Sequence, residues 1–250
     1  MNQTFHAPRQ ISAALVALLL LLPFHLPAQT QQEMKALETW TAGAVVSKKA
    51  VEKRGLARCF TASSIPDGVF ARMKGKSFPK GCTTPRDSLS YLRLLHVNAK
   101  GETQLGEMVC ARAIANDLVA IFRALYQAQY RIERMMLIDE YGANDEASMT
   151  ANNTSCFCFR TVSGTSRTSL HARGRAVDIN PLYNPYVVRR SNGSVRVEPA
   201  AGKAYVNRKR KFPYKITTAD LAYRLFTQHG FTWGGKWSRR TDYQHFEKRR

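Results

Sequence analysis

Two stretches of this chain carry side chains able to hold a metal ion and move a proton. The first is Ser169-Leu170-His171-Ala172-Arg173-Gly174-Arg175-Ala176-Val177-Asp178-Ile179-Asn180-Pro181. The second opens at Trp233-Gly234-Gly235-Lys236-Trp237 and continues at Asp242-Tyr243-Gln244-His245-Phe246-Glu247. A catalytic zinc site uses three imidazole or carboxylate ligands and keeps a fourth position open for water. A further polar group must take a proton from that water. His171, Asp178, Asp242 and His245 supply the four groups that this chemistry needs. Singly, each has a plainer reading: a turn histidine, a strand-end aspartate, a half-buried sheet histidine. The ordered set H-x6-D followed by D-x2-H, with glycines beside both parts, is what points to metal-assisted hydrolysis.

These groups need elements to position them. Gly174 permits a tight turn or a close backbone approach between His171 and Asp178. Ala176 to Asn180 alternates, which predicts a short strand with Val177 and Ile179 in the core and Ala176, Asp178 and Asn180 facing a cleft. The same alternation sets His245 opposite Phe246, with Asp242 at the start of that strand. Ser155 to Val162 reads as another strand, with Cys156, Cys158 and Arg160 on one side and Phe157 and Phe159 on the other. There Arg160 could offer a fork of donors to a carboxylate; the plain alternative is a surface ion pair. Leu105 to Tyr130 has the clearest helical spacing, through Ile114, Leu118, Ile121, Phe122 and Leu125. Ser88 to Val97 leans to strand from Arg93, and Ile132 to Asp139 reads as a strand that ends in an acidic, solvated or helix-starting loop. A hairpin is expected around Asn192-Gly193, and a helix that starts at Thr217, with Asp220 as its capping-box-like partner, and stops at Gly230. Helices and strands do not alternate regularly, so an α+β fold with a small antiparallel sheet is expected rather than a doubly wound parallel one.

The rest of the composition bounds the setting. Residues 1–28 read as a secretory signal peptide: Arg9 precedes an apolar run from Ile11 to Phe24, and Leu26-Pro27-Ala28 offers a cleavage site. No stable membrane span is expected after its removal. Residues 29–55 read as a leader or a loosely docked helix, and 56–250 as one catalytic domain. The formal net charge of +20 favours an anionic environment, and export favours cell-envelope polymers over nucleic acid. No nucleic-acid recognition motif of the usual set appears, so a basic nucleic-acid binder is the weaker rival. The clusters Arg208 to Lys211 and Lys248 to Arg250 read as a solvated loop and tail. Five cysteines leave one unpaired at least, and Cys59 with Cys82 is a possible disulfide. His96 and His229 stand outside both motifs and are not site candidates; Trp233 and Trp237 either line the cleft or fill the core.

The pattern S-x-H-x-x-G-x-A-x-D-I-N-P, then W-G-G-x-W and D-Y-x-H-F-E, resembles the zinc D-Ala-D-Ala carboxypeptidases and L-alanyl-D-glutamate endopeptidases that cut peptidoglycan stem peptides. The resemblance runs from about Lys74 to Glu247. It implies Zn2+ held by His171, Asp178 and His245, with Asp242 as general base where other members carry Glu. It makes Arg160 the arginine that meets a substrate carbonyl or carboxylate, and Ser169 a substrate-side serine. The fold it implies is the hedgehog and D,D-peptidase type, with helices flanking the zinc-carrying sheet. The implied protein is bacterial and exported, periplasmic or secreted. Its substrates are peptidoglycan stem peptides, with D-Ala-D-Ala carboxypeptidase activity expected first. An endopeptidase, or a wall-binding module without activity, are the alternatives.

Overall fold

The run Leu89-Ser-Tyr-Leu-Arg-Leu-Leu-His-Val97 is apolar almost throughout, as a strand covered on both faces must be. It forms the middle strand of the first sheet. The computed structural model describes residues 1, 28–162, 167–238 and 240–249. The expected signal peptide therefore lies almost wholly outside the described residues. In chain order the elements are α1 (Ala28–Thr39), α2 (Lys48–Arg54), β1 (Thr61–Ser63), α3 (Asp67–Met73), β2 (Leu89–Val97), β3 (Thr103–Ala111), α4 (Arg112–Gln127) and α5 (Asp145–Thr150). There follow β4 (Ala176–Asp178), β5 (Tyr186–Arg189), β6 (Val195–Glu198), α6 (Leu221–Gln228), β7 (Thr232–Trp233), β8 (Arg240–Asp242) and β9 (His245–Glu247). They make three small antiparallel sheets in the orders β1-β2-β3, β4-β9-β7 and β6-β5-β8, so the class is α+β. Among the described residues no helix is long and apolar enough to cross a membrane.

One core ties the first sheet to the second. Leu92, Leu94, Leu105 and Met108 of the first sheet are buried with Ile114, Leu118 and Phe122 of α4, and with Val177, Phe226, Trp233 and Phe246. Phe246 stacks on Phe226 at 4.4 Å between ring centroids, and Phe226 meets Phe122 edge-on at 6.2 Å. A second cluster, with Leu89, Tyr91, Val109 and Phe157, fills the space on the far side of β2 and β3. Residues 29–55, expected as a leader or loosely docked helix, give Leu37, Trp40, Val46, Ala50 and Val51 to the main core.

Several local expectations are corrected. Leu105 to Ala111 is strand, not the start of the long helix, which begins at Arg112. Its nine-residue ladder with β2 outweighs a helical reading that its apolar spacing also permits. Ile132 to Leu137 is not a ladder strand; it makes one isolated bridge, Arg134 with Asn153, before a 3-10 turn at Ile138–Tyr141. Ser155 to Val162 likewise forms bridges rather than a ladder strand, although Cys156 and Phe157 do point to opposite cores. Asp139 is not solvated: it is buried and accepts from the Ser77 N–H and hydroxyl at 3.0 Å each. Asp220, not Thr217, caps α6, through Oδ1 to the Ala222 N–H. Arg208 is no solvated loop residue either. It donates to the carbonyls of Tyr183 and Ile216 and to Asn184 Oδ1, and its guanidinium lies 4.3 Å from the Tyr243 ring centroid. All five cysteines are free thiols, so no Cys59–Cys82 disulfide forms. The hairpin around Asn192-Gly193 stands as expected between β5 and β6.

Candidate metal centre and its cleft

The register of the second sheet builds the site. Asp178 of β4 lies directly opposite His245 of β9, and Ala176 opposite Glu247. Residues two apart on a strand share a face, so Asp178, His245 and Glu247 project together while Val177 and Phe246 enter the core. Ala176 and Asn180, expected to face the cleft, do not line it. The small Ala176 side chain sits across from Glu247, and Asn180 bonds instead to the Glu133 N–H and Arg131 carbonyl.

His171 arrives from a 3-10 turn, His171–Arg173, that Gly174 closes at φ 65°. A Cβ on Gly174 would stand 2.5 Å from the Ala111 nitrogen, because the Gly174 carbonyl accepts the Ala111 N–H at 2.8 Å. Only glycine allows both the turn and that approach. The turn is thereby held on the end of β3. His171 also accepts through its carbonyl from the Cys158 N–H, and its own N–H donates to Ser169 Oγ at 3.2 Å.

Three side chains converge, through two ring nitrogens and the two oxygens of one carboxylate. His171 Nε2 and His245 Nδ1 are 3.1 Å apart, His245 Nδ1 and Asp178 Oδ1 are 3.1 Å apart, and His171 Nε2 and Asp178 Oδ2 are 3.3 Å apart. The opposite ring nitrogens are both engaged. His171 Nδ1 lies 2.7 Å from the Cys156 carbonyl, and His245 Nε2 lies 3.2 Å from Glu247 Oε2. A carbonyl and a carboxylate only accept, so both outer nitrogens carry protons in the neutral rings, and both inner ones present lone pairs. Two lone pairs and a carboxylate facing one another in a buried site need a positive charge between them. Ligand bonds of about 2.0–2.1 Å in a tetrahedron imply edges of about 3.3–3.4 Å, close to those found. These three residues are the His/Asp group that could hold a metal ion among the described residues.

Without an ion, protons answer the same demand. Burial alone would depress His245, but hydrogen bonds to Asp178 and Glu247 and the charges of Asp178 and Asp242 push it up to about 10. Burial would raise Asp178, yet the two histidines hold it well below the usual carboxylate range.

Asp242 reaches the cleft from a different sheet than His245. It ends β8, paired with Tyr186 of β5, so the expected single strand from Asp242 to His245 is split by a turn at Tyr243-Gln244. Burial pushes its carboxyl up to about 7; the His245 charge opposes this and the Asp178 charge adds to it. Its Oδ1 is buried without a hydrogen-bond partner among the described residues. Arg160 lines the same cleft in an ion pair with Asp145, the first residue of α5. The cleft, about 1040 Å³, is also lined by Ser169, Trp237 and Gln244. Trp237 is 36% exposed, with its ring 5.4 Å from that of His245. Trp233, read as a substrate-side residue, is not brought to this cleft. It lies in the core, its Nε1 donating to the Tyr243 carbonyl at 2.9 Å.

Glu247 and Asp145 were not among the sequence candidates. Glu247 had a signal, since it lies two residues from His245 on the same strand face; Asp145 had none beyond an acidic loop. His96 is a satisfied core histidine, bonded to the Ile132 carbonyl at 2.7 Å and pushed down to about 4 by burial. His229 pairs with Asp117 at 3.1 Å.

An α+β scaffold holding a buried His/Asp/His cradle at the floor of a cleft, with a spare carboxylate beside it, has the layout of a metal-dependent hydrolase. Residues 163–248, about a third of the chain, match the family model described as D-alanyl-D-alanine carboxypeptidase. The match spans both motif stretches and stops short of Arg160 on its N-terminal side. It supports a peptidoglycan peptidase of the zinc type. No curated protein and no solved structure matches the chain.

Proposed function

We propose that this protein hydrolyses amide bonds in peptidoglycan stem peptides, using zinc held by His171 Nε2, Asp178 and His245 Nδ1. The observation that carries the proposal is the convergence of two imidazole nitrogens and one carboxylate at 3.1–3.3 Å, with the outer ring nitrogens already bonded. Zinc in such a site supplies Lewis acidity toward a carbonyl oxygen and lets water lose a proton near neutral pH. Asp242 takes that proton and returns it to the leaving amine nitrogen, a role suited by a carboxyl whose pKa lies near 7. Arg160 offers N–H donors to the substrate carbonyl or a nearby carboxylate, and Asp145 fixes its direction. Ser169 holds the His171 turn through the His171 N–H and borders the substrate. Trp237 forms an apolar wall. The setting is the cell envelope of a bacterium, reached by export through the segment 1–28; this rests on the sequence pattern and on the substrate of the matched family.

D-Ala-D-Ala carboxypeptidase action is the first reading, from the description of the matched family. A second, endopeptidase cleavage of the L-alanyl-D-glutamate type, is favoured by the shape of the cleft. It shares Thr168 and Arg173 with one neighbouring cavity and Trp237, Glu247 and Arg249 with another, so further concave surface adjoins it where a longer peptide could lie. Incubating the purified protein with defined muropeptides, with and without a chelator, tests both. Loss of one terminal D-Ala supports the first reading and release of a longer peptide the second. Turnover that survives both chelation and Asp242→Ala contradicts the mechanism.

A further inference from the structure

The two cavities that extend the cleft are both basic, but their cations differ in what they already do. On the Trp237 side, Lys248 Nζ is 2.7 Å from Asp117, Arg249 Nε is 2.8 Å from Glu247, and Lys236 Nζ is 2.5 Å from the Tyr223 hydroxyl. Those charges are committed within the protein. On the Thr168 side, a cavity of about 670 Å³ is lined by Arg112, Arg173 and Arg175. Arg112 stands at the start of α4, Arg173 in the His171 turn, and Arg175 just before β4. Arg112 and Arg173 have no ion pair or side-chain hydrogen bond among the described residues, and Arg175 reaches only the Lys248 carbonyl, at 3.5 Å. Asp87 is the acidic residue of the lining and pairs with none of them. Thr83 and Thr168 also line the wall, whereas the Thr84 and Ser88 hydroxyls there already donate to the Ala172 and Pro85 carbonyls at 2.7 and 2.6 Å.

Three arginines from three separate elements thus line one concavity together with a single acidic residue, and most of their side-chain donors are unspent. Guanidinium forks match planar carboxylates in a way that point charges do not. We propose that this cavity is a subsite for a carboxylate of the peptide being cut, bound at a distance from the scissile bond. The inference rests on the peptidase reading above. The cavity shares Thr168 and Arg173 with the cleft and so adjoins the metal centre, which makes the peptide that lies there the fitting occupant, and the anionic groups of a peptide are carboxylates. Recognition here would select acidic stem peptides over neutral ones and align them in the cleft.

The test uses the zinc-loaded protein carrying Asp242→Asn, so that peptides bind without being cut. Titration calorimetry compares a stem peptide bearing free side-chain carboxylates with its fully amidated form. The acidic peptide should bind at least tenfold tighter. Arg112→Gln and Arg175→Gln should each weaken it about fivefold and leave the amidated peptide unchanged, as expected for partly exposed ion pairs. The preference should shrink as salt is raised. Arg112 is exposed and unpaired, so unchanged thermal unfolding of its variant separates binding from folding. Equal affinity for the two peptides, or arginine variants that weaken both alike, overturns the subsite while wild-type turnover keeps the peptidase reading intact. Displacement of the acidic peptide by millimolar inorganic phosphate more readily than by acetate assigns the cavity to phosphate and also overturns it. If no peptide binds and the wild type cuts none, both inferences fall together.

Discussion

Glu247→Gln isolates the charge behind His245. Glu247 is buried, its Oε2 is 3.2 Å from His245 Nε2, and its Oε1 is 2.8 Å from Arg249 Nε. Burial would raise its pKa, but His245 and Arg249 hold it below the ordinary value, so it is ionised at neutral pH. Gln keeps the shape, removes the charge and leaves one acceptor oxygen for the two donors, with an NH2 in place of the other. An anion behind a histidine ligand makes the ring a better donor, and losing such a partner costs about 10–100-fold in metal affinity, or about 1.4–2.7 kcal/mol. A second effect opposes the first. Glu247 also helps raise His245 to about 10, and that proton must leave before a metal binds. The variant releases it more readily, which offsets part of the loss near pH 7. The doubly charged ion feels the missing carboxylate more than the single proton does, so the net sign remains a loss. Chelator competition from pH 7 to 9 should therefore show a zinc affinity ratio, wild type over Glu247→Gln, that grows with pH toward tenfold or more. A flat ratio of one, or tighter binding by the variant at every pH, would refute the positioning role of Glu247.

Further predictions concern the neighbours of this centre. Because the folded-state pKa of Asp242 is raised to about 7, the metal-free protein should lose stability as pH climbs from about 4 to about 7; Asp242→Asn should flatten that slope, recovering up to about 4 kcal/mol in urea unfolding at pH 8. The same carboxyl must be ionised to accept a proton, so kcat/KM should fall on acidification with a midpoint at or below pH 7, since a bound cation favours the ionised form. Gly174→Ala should destabilise by roughly 3 kcal/mol or more, through its φ of 65° and the 2.5 Å approach to the Ala111 nitrogen, as read by thermal or denaturant unfolding. The two tryptophans should separate. Trp233→Ala should cost about 3–5 kcal/mol of stability as a core cavity, whereas Trp237→Ala should raise KM with stability changed by less than about 1 kcal/mol.

Much of the centre was legible because it is local. His171 and Asp178 are joined by six residues, one of them a necessary glycine, and the alternation through Val177 and Phe246 fixes which side chains share a face. What brings Asp178 opposite His245 is a strand register that spacing within either motif cannot state. Glu247 shows the cost of reading motifs one residue at a time: the alternation that places His245 also places Glu247 beside it. Leu105 to Ala111 was misread because its apolar residues suit a helical face as well as a two-sided strand, and only pairing with β2 decides between them. The docking of residues 29–55 was hidden for a similar reason. Leu37, Trp40 and Val51 are too few and too irregular to mark a buried face until the rest of the core is present. Arg208 could not be told from its basic neighbours, because its burial depends on Tyr183, Asn184 and Tyr243 closing around it.

The account stands on one ion shared by three side chains with a fourth beside it, and metal stoichiometry tests that division directly. Equilibrium dialysis against buffered zinc should give one ion per chain for the wild type and for Asp242→Ala. It should give none, at the same free zinc, for His171→Ala and His245→Ala. Full occupancy in either histidine variant, or loss of the ion in Asp242→Ala, would contradict it.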